Sequence, residues 1–343
     1  MKKIVIHKAG GYEELKVEEH QDLLPQEGEI LVEIKAIGIN YADVIIRWGL
    51  YESAKKFVGW PITPGFEFSG VIKEVKERDS KFKVGDKVFG VNLFNSYASQ
   101  IIVKPHQLYF LPDQMSFEEG AGFPAVFMTA YHALYQHVVT RPSMMALIHS
   151  AAGGVGSSLV QLCKLSGIKT IGVVGSPHKI EMLKALGCDE VIDKSKTDLW
   201  ARVKEIAPMG PDLIFDANGA TSLREGYKHL RPTGKLIAYG AHTMFPKKGG
   251  KVNWPKLVID FLKTPRFNPL EMTSENKSLI TFNLSFLFDR QDLLDEAMKD
   301  LIQWYDEGKI KLPKITVYGF QDVAQAHRDL ESGLTIGKLV LKT

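Results

Sequence analysis

Met144-Met145-Ala146-Leu147-Ile148-His149-Ser150-Ala151-Ala152-Gly153-Gly154-Val155-Gly156 runs from an apolar, strand-like segment through a glycine cluster into a helix-like pattern. Aligned as G-x-G-x-x-G, Gly153 and Gly156 take the second and third places, and Ala151 stands in the first. In this context Gly153 lets the backbone approach a pyrophosphate, Gly156 lets helix pack on strand, and the helix N-terminus faces the phosphates. The loop residues Ala152, Gly153, Gly154, Val155 and Gly156 are therefore expected to bind a dinucleotide.

Downstream of the loop, strand-like and helix-like runs alternate as far as Leu236 to Tyr239. That pattern predicts a parallel sheet wrapped by helices. Upstream, to about residue 110, short β-like runs such as Ile30 to Ile39 and Lys87 to Val91 are broken by Gly, Pro and charge, and predict a β-rich barrel. Ser116-Phe117-Glu118-Glu119 reads as a capping box opening an Ala-rich helical stretch between the two. A strand-like Leu279 to Phe286, two helices and a final strand, Lys338 to Leu341, end the chain.

The 343 residues suit two domains and a cleft. A net charge of +3 argues against nucleic acid as the main partner. The two cysteines, Cys163 and Cys188, are too few for a disulfide framework and fit a reducing, cytoplasmic setting. No apolar run approaches the length of a membrane span.

An NAD site wants an acidic residue about 20 residues past the loop. Here Thr170 to Val174 runs instead into Gly175-Ser176-Pro177-His178-Lys179. Gly175, Ser176 and the cation of Lys179 leave room and charge for a 2′-phosphate, so NADPH is the expected cofactor, with Lys194 as a second cation.

Gly38-Ile39-Asn40-Tyr41-Ala42-Asp43, Arg47-Trp48-Gly49-Leu50-Tyr51, Pro64-Gly65-Phe66-Glu67-Phe68-Ser69-Gly70-Val71, Val84-Gly85-Asp86-Lys87-Val88 and Met128-Thr129-Ala130-Tyr131 join the glycine loop in one order. With that order the chain resembles the zinc-free quinone oxidoreductase branch of the medium-chain dehydrogenase/reductase superfamily. Glu225 to Lys235 and Ile336 to Leu341 are most similar to its VAT-1-like group. The resemblance implies an α/β protein with a GroES-like β-rich barrel domain, residues 1–124 and 288–343, and a Rossmann doubly wound parallel-sheet domain, residues 125–287. It also implies that Thr129 sits beside the nicotinamide and that Asn218, Tyr239, Gly240, Phe282, Asn283 and Lys338 belong to the cofactor site.

The zinc-binding members of that superfamily have a cysteine and a histidine where this chain has Asn40 and Phe66, so no metal is expected. Glu67 remains and reads as a structural acceptor. Without a Lewis acid the hydride acceptor must already be electrophilic, as a quinone or an α,β-unsaturated carbonyl (enone) compound is. The resemblance places Asn40, Asp43 and Tyr51 on the loop lining the cleft as catalytic candidates. Asn40 also reads as a turn former and Asp43 as a helix cap, and Ile45 stands where the family often has tyrosine. The alternative reading is an NADPH-binding protein of low turnover with a regulatory or membrane-associated role.

His132 and His137 lie five apart, not the four of a paired metal site on an α-helix. In the insert 244–272, Trp254, Leu257, Val258, Phe261 and Leu262 form a one-sided stripe among Lys247, Lys248, Lys251, Lys256, Lys263 and Arg266. It is expected to pack on its own domain, cover the cleft or join a subunit interface; peripheral membrane contact is the other reading. Alternation in Leu279 to Phe286 predicts an outermost strand pairing a homodimer.

Overall fold

A computed structural model describes residues 1–245 and 252–343, so Lys247, Lys248 and Lys251 of the insert lie outside the described residues. Seven strands occupy the first part of the chain: β1 Lys2–Val5, β2 Lys16–Glu19, β3 Ile30–Ile39, β4 Glu67–Val75, β5 Lys87–Val91, β6 Gln100–Val103 and β7 Leu108–Phe110. Six follow: β8 Met145–Ile148, β9 Lys169–Val174, β10 Glu190–Asp193, β11 Leu213–Asp216, β12 Lys235–Ala238 and β13 Ser278–Thr281. β14 Ile315–Gly319 and β15 Lys338–Lys342 come last.

β8 to β13 form one parallel sheet in the order β10-β9-β8-β11-β12-β13. A parallel sheet is covered on both faces, which demands apolar strands rather than alternating ones. β11 meets that demand with all four residues buried. Leu147, Ile171, Val173, Ile214 and Leu236 pack on one side with Val203 and Leu230. Ala146, Ile148, Phe215 and Ile237 join the larger core on the other, with Leu159, Val160 and Cys163 of the helix Gly154–Leu165.

The second sheet has the order β14-β15-β3-β4-β5-β7, with β6 also on β3. The capping box is formed: Glu119 N donates to Ser116 Oγ at 3.2 Å and Ser116 N to Glu119 Oε2 at 2.9 Å. After the parallel sheet the chain turns back. Helix Gln291–Asp306 lies on helix Pro124–Tyr131, where Tyr131 donates to Asp300 Oδ2 at 2.6 Å. β15 then pairs antiparallel with β3, Leu339 opposite Ile39. On the way Gly337 N donates to Ala152 O at 3.0 Å, so the last strand enters the barrel alongside the glycine loop.

Three expectations need correction. Leu279 to Phe286 is not one strand: β13 stops at Thr281, and Asn283 Oδ1 accepts from Ser285 N at 3.0 Å to cap a short 3-10 turn, Leu284–Phe286. An asparagine side chain that bonds its own backbone competes with ladder pairing. The apolar stripe on helix Trp254–Lys263 does not pack as a whole on its own domain: among the described residues Leu257 alone of the five joins an internal cluster, with Trp48 and Phe245, while Trp254, Val258, Phe261 and Leu262 face outward, as a subunit interface would also leave them in one chain. The stretch after Asn40, read as a loop, holds two short helices, Tyr41–Arg47 and Glu52–Phe57.

The first of these helices is anchored by a fully buried ion pair, Arg47 with Glu331 at 2.6 Å. Arg47 only donates, so His327 Nδ1 accepts from it at 3.2 Å and its Nε2 carries the hydrogen toward Tyr97 Oη at 3.1 Å. Tyr97 in turn donates to Asp43 Oδ2 at 3.2 Å. Burial and the neighbouring guanidinium push His327 well below the ordinary histidine range, which keeps it neutral in this chain of bonds. Removing one partner of a buried pair strands the other charge. Glu331→Ala is therefore expected to lower unfolding free energy by about 3–5 kcal/mol in a denaturant titration; a loss below about 1 kcal/mol would show that Arg47 is not held this way.

Candidate active site

Every cofactor residue expected in the parallel-sheet half, Thr129 apart, sits just beyond the carboxyl end of a strand. The glycine loop follows β8, Gly175 to Lys179 follow β9, and Lys194 follows β10. Asn218 follows β11, Tyr239 and Gly240 follow β12, and Phe282 and Asn283 follow β13. Open α/β sheets bind their ligands on this edge, because all strands point the same way and their loops converge there.

The two loop glycines do different work. A Cβ on Gly156 would lie 2.5 Å from Ser150 O and 2.6 Å from Ala151 Cα, so glycine is needed for helix and strand to meet. A Cβ on Gly153 would meet only Ser150 O, at 3.3 Å. The space over Gly153 is thus left open by the protein itself, ahead of the N-terminus of a twelve-residue helix. A Cβ on Gly175 would meet nothing within 4 Å. Lys179 is buried, its Nζ donating to Gly333 O at 2.5 Å, which holds the cation at the end of β9. Lys194 is exposed; burial and then its charge push His242 down to about 4. Ser150 Oγ donates to Asn218 Oδ1 at 3.3 Å and lies 3.3 Å from His242 Nε2. Tyr239 and Phe282 rings stand 6.2 Å apart.

Next to Gly337, which bonds the glycine loop, Asn40, Glu67 and Lys338 form one knot. Lys338 Nζ lies 2.5 Å from Glu67 Oε1 and donates to Asn40 Oδ1 at 2.5 Å, and Asn40 Nδ2 donates to Glu67 Oε1 at 2.9 Å. Glu67 Oε2 accepts from Ala125 N at 2.7 Å, at the start of the helix carrying Thr129. Thr129 Oγ1 donates back to Ala125 O at 2.6 Å. Lys338, expected among the cofactor residues, therefore presents its ammonium to Asn40, at the start of the helix Tyr41–Arg47.

Tyr51 donates to Asn283 Oδ1 at 2.9 Å, and Ser285 Oγ donates to Ser53 Oγ at 3.0 Å, so the helix Glu52–Phe57 is fastened to the turn after β13. The Tyr51 ring lies 5.8 Å from Phe66, and burial raises its phenol above the usual range. Asp43 stands behind this surface rather than on it. Its carboxylate is fully buried and accepts from Gly65 N at 3.0 Å, Asn40 N at 2.8 Å and Tyr97. Burial lifts it to about 7. It is the helix cap that its sequence context also suggested, and it leaves the set of groups that reach a substrate.

His132 and His137 are closer than an α-helix would bring them. A π-turn, His132–Gln136, sets their rings 4.3 Å apart, both against Phe282. Among the described residues no group of three or more His, Cys, Asp or Glu gathers to hold a metal. Cys163 and Cys188 are buried free thiols.

Residues 26–144 match the family model of the alcohol dehydrogenase GroES-like domain, and residues 186–341 that of a zinc-binding dehydrogenase. Zinc does not fit the residues here: the two positions are an amide and a phenyl ring, and the Asn40 oxygen that would face a metal already faces an ammonium. The crystal structure of Escherichia coli quinone oxidoreductase complexed with NADPH superposes with a TM-score of 0.86 at 28% identity over 100% of both chains. The crystal structure of CurK enoyl reductase does so with a TM-score of 0.85 at 26% identity, over 99% of this chain and 98% of that one. A synaptic vesicle membrane protein VAT-1 homolog of Danio rerio is 35% identical over 343 residues, 99% of this chain and 69% of that one. Barrel, parallel sheet, glycine loop and these matches agree: the chain belongs to the VAT-1 family within the medium-chain dehydrogenase/reductase superfamily.

Proposed function

We propose that the protein is a zinc-independent oxidoreductase that binds NADPH and reduces a quinone or an α,β-unsaturated carbonyl compound. The observation that carries this reading is the pairing of an open glycine loop with the Asn40, Glu67 and Lys338 knot, joined to it through Gly337. The E. coli relative complexed with NADPH and the CurK enoyl reductase support it. No carboxylate follows β9 to bind a free 2′-hydroxyl, and Lys179 lies at that strand end.

When bound, NADPH supplies the hydride taken up by the electrophilic carbon of such an acceptor. The chain's own residues bind and orient. Asn40 Nδ2 uses one hydrogen on Glu67; its second has no partner among the described residues and is the donor for the substrate oxygen, where negative charge grows. Tyr51 offers a flat, apolar face to a conjugated system, its ring packed on Phe66 of the core.

The second reading, a nucleotide-binding protein of low turnover that works at a membrane surface, draws on the outward face of Trp254, Val258, Phe261 and Leu262. NADPH oxidation after exhaustive chelation, with duroquinone and crotonaldehyde among a panel of acceptors, separates the two. Turnover supports reduction; tight NADPH binding with no oxidation by any acceptor supports the second reading. Neither reading needs a spanning helix, and no helix among the described residues is long and apolar enough to cross a membrane.

Gly153→Ala is expected to leave the melting temperature within about 2 °C while weakening NADPH at least tenfold, roughly, because the new methyl meets the protein only at Ser150 O, 3.3 Å away, and otherwise takes the ligand's space. Gly156→Ala should instead lower the melting temperature by several degrees, since the methyl strikes Ser150 O. Equal effects of the two on binding and on melting would contradict the assignment. Lys179→Ala is expected to weaken NADPH by about tenfold or more and NADH little; equal weakening would remove the 2′-phosphate role.

We also propose a homodimer paired through β13. Ser278 N and Phe282 N bond to β12, so the N–H groups of Leu279 and Thr281 point to the open edge. Thr281→Pro should give a folded monomer in sedimentation, because it removes a donor from that edge alone. A variant that stays dimeric places the interface elsewhere.

A further inference from the structure

The Glu67 and Lys338 pair is buried although both of its groups are ionisable. Glu67 is 0% exposed and Lys338 3%, and they come from β4 and β15, strands at opposite ends of the chain. Two such charges could stabilise each other alone, but here each has a further partner. Lys338 has only donors, and it reaches Asn40 Oδ1; Glu67 as a carboxylate has only acceptors, and it takes Asn40 Nδ2. An amide placed between a pure donor and a pure acceptor has a single orientation. Its second Nδ2 hydrogen is then fixed in direction without any contact of its own. The other Glu67 oxygen holds Ala125 N, one turn before Thr129, so the same carboxylate sets the start of the helix on the nicotinamide side.

We propose that Lys338, through Glu67, is the positioning residue of the reduction: it fixes the Asn40 amide so that its spare hydrogen meets the substrate oxygen at a set distance from the cofactor-side helix. This rests on reduction taking place at Asn40. A correctly aimed donor acts most strongly on the charge developing in the transition state, so its misalignment falls on turnover rather than on nucleotide binding.

The test compares Lys338→Met, Lys338→Arg and the double variant Glu67→Gln with Lys338→Met. Lys338→Met alone leaves the Glu67 charge buried without its partner and is expected to unfold more easily. The double variant removes both charges, and replacing a buried ion pair as a whole is often neutral for stability. Glutamine at 67 keeps one acceptor, for Ala125 N; its amide nitrogen then faces Asn40, which with Lys338 gone turns over to accept it through Oδ1, so the spare hydrogen is no longer aimed. We expect the double variant to melt close to the parent and to bind NADPH with unchanged affinity, yet to reduce crotonaldehyde with kcat lower by roughly 10- to 100-fold. Lys338→Arg keeps a donor on Asn40 Oδ1 and should recover part of that loss. A double variant with parental kcat would show that the pair only holds the fold. A double variant that loses NADPH affinity and kcat together would place Lys338 with the cofactor and overturn the positioning role. A parent protein that binds NADPH but reduces no acceptor overturns the functional reading and this inference with it, an outcome distinct from the other two because it is seen before any substitution.

Discussion

Glu67 and Lys338 meet at 2.5 Å in a site that water barely reaches. Removing two charges from water costs several kcal/mol each, and their attraction offsets that only when the remaining donors and acceptors are also satisfied. Here Asn40 and Ala125 N supply those partners. The consequence is geometric. β4, β15, Asn40 after β3 and the helix Pro124–Tyr131 are all fixed to one point, one residue from Gly337, which bonds the glycine loop. In zinc-binding members of the superfamily a metal would gather the cleft; here a cation on a flexible stem does so from the protein's own sequence.

The return of the chain makes this arrangement hold. The helix Gln291–Asp306 carries the polypeptide back over the helix Pro124–Tyr131, and β15 enters the barrel beside Ala152. Glycine loop and Asn40 are therefore linked through one strand: Gly337 bonds the first, and Lys338, the next residue, bonds the second. The buried line from Glu331 through Arg47, His327 and Tyr97 to Asp43 braces the helix Tyr41–Arg47 that follows Asn40. Tyr51 and Ser53 fasten the helix Glu52–Phe57 to the turn after β13.

What could be read in the sequence was local. The strand, glycine loop and helix around Gly153 are contiguous, and the alternation after them sets a parallel sheet whose strand ends carry most of the residues expected at the cofactor. The capping box at Ser116 is three residues long in its logic and was equally legible. The knot was not: Lys338 and Asn40 are 298 residues apart, and Tyr51 and Asn283 are 232 apart. No local pattern tells a buried lysine that holds an amide from one that binds a phosphate. Leu279 to Phe286 misled because polar and apolar residues alternate past Thr281, while Asn283 turns its side chain to the backbone instead. The stripe from Trp254 misled for another reason, since an amphipathic period gives the existence of an apolar face and not whether its own protein covers it.

The most direct measurement is a crystal structure of the protein with NADPH and an unreactive enone analogue. The account predicts the carbonyl oxygen within about 3 Å of Asn40 Nδ2, with Lys338 still on Asn40 Oδ1 and Glu67. A carbonyl held by other groups, or a metal ion seated between Asn40 and Lys338, would contradict it.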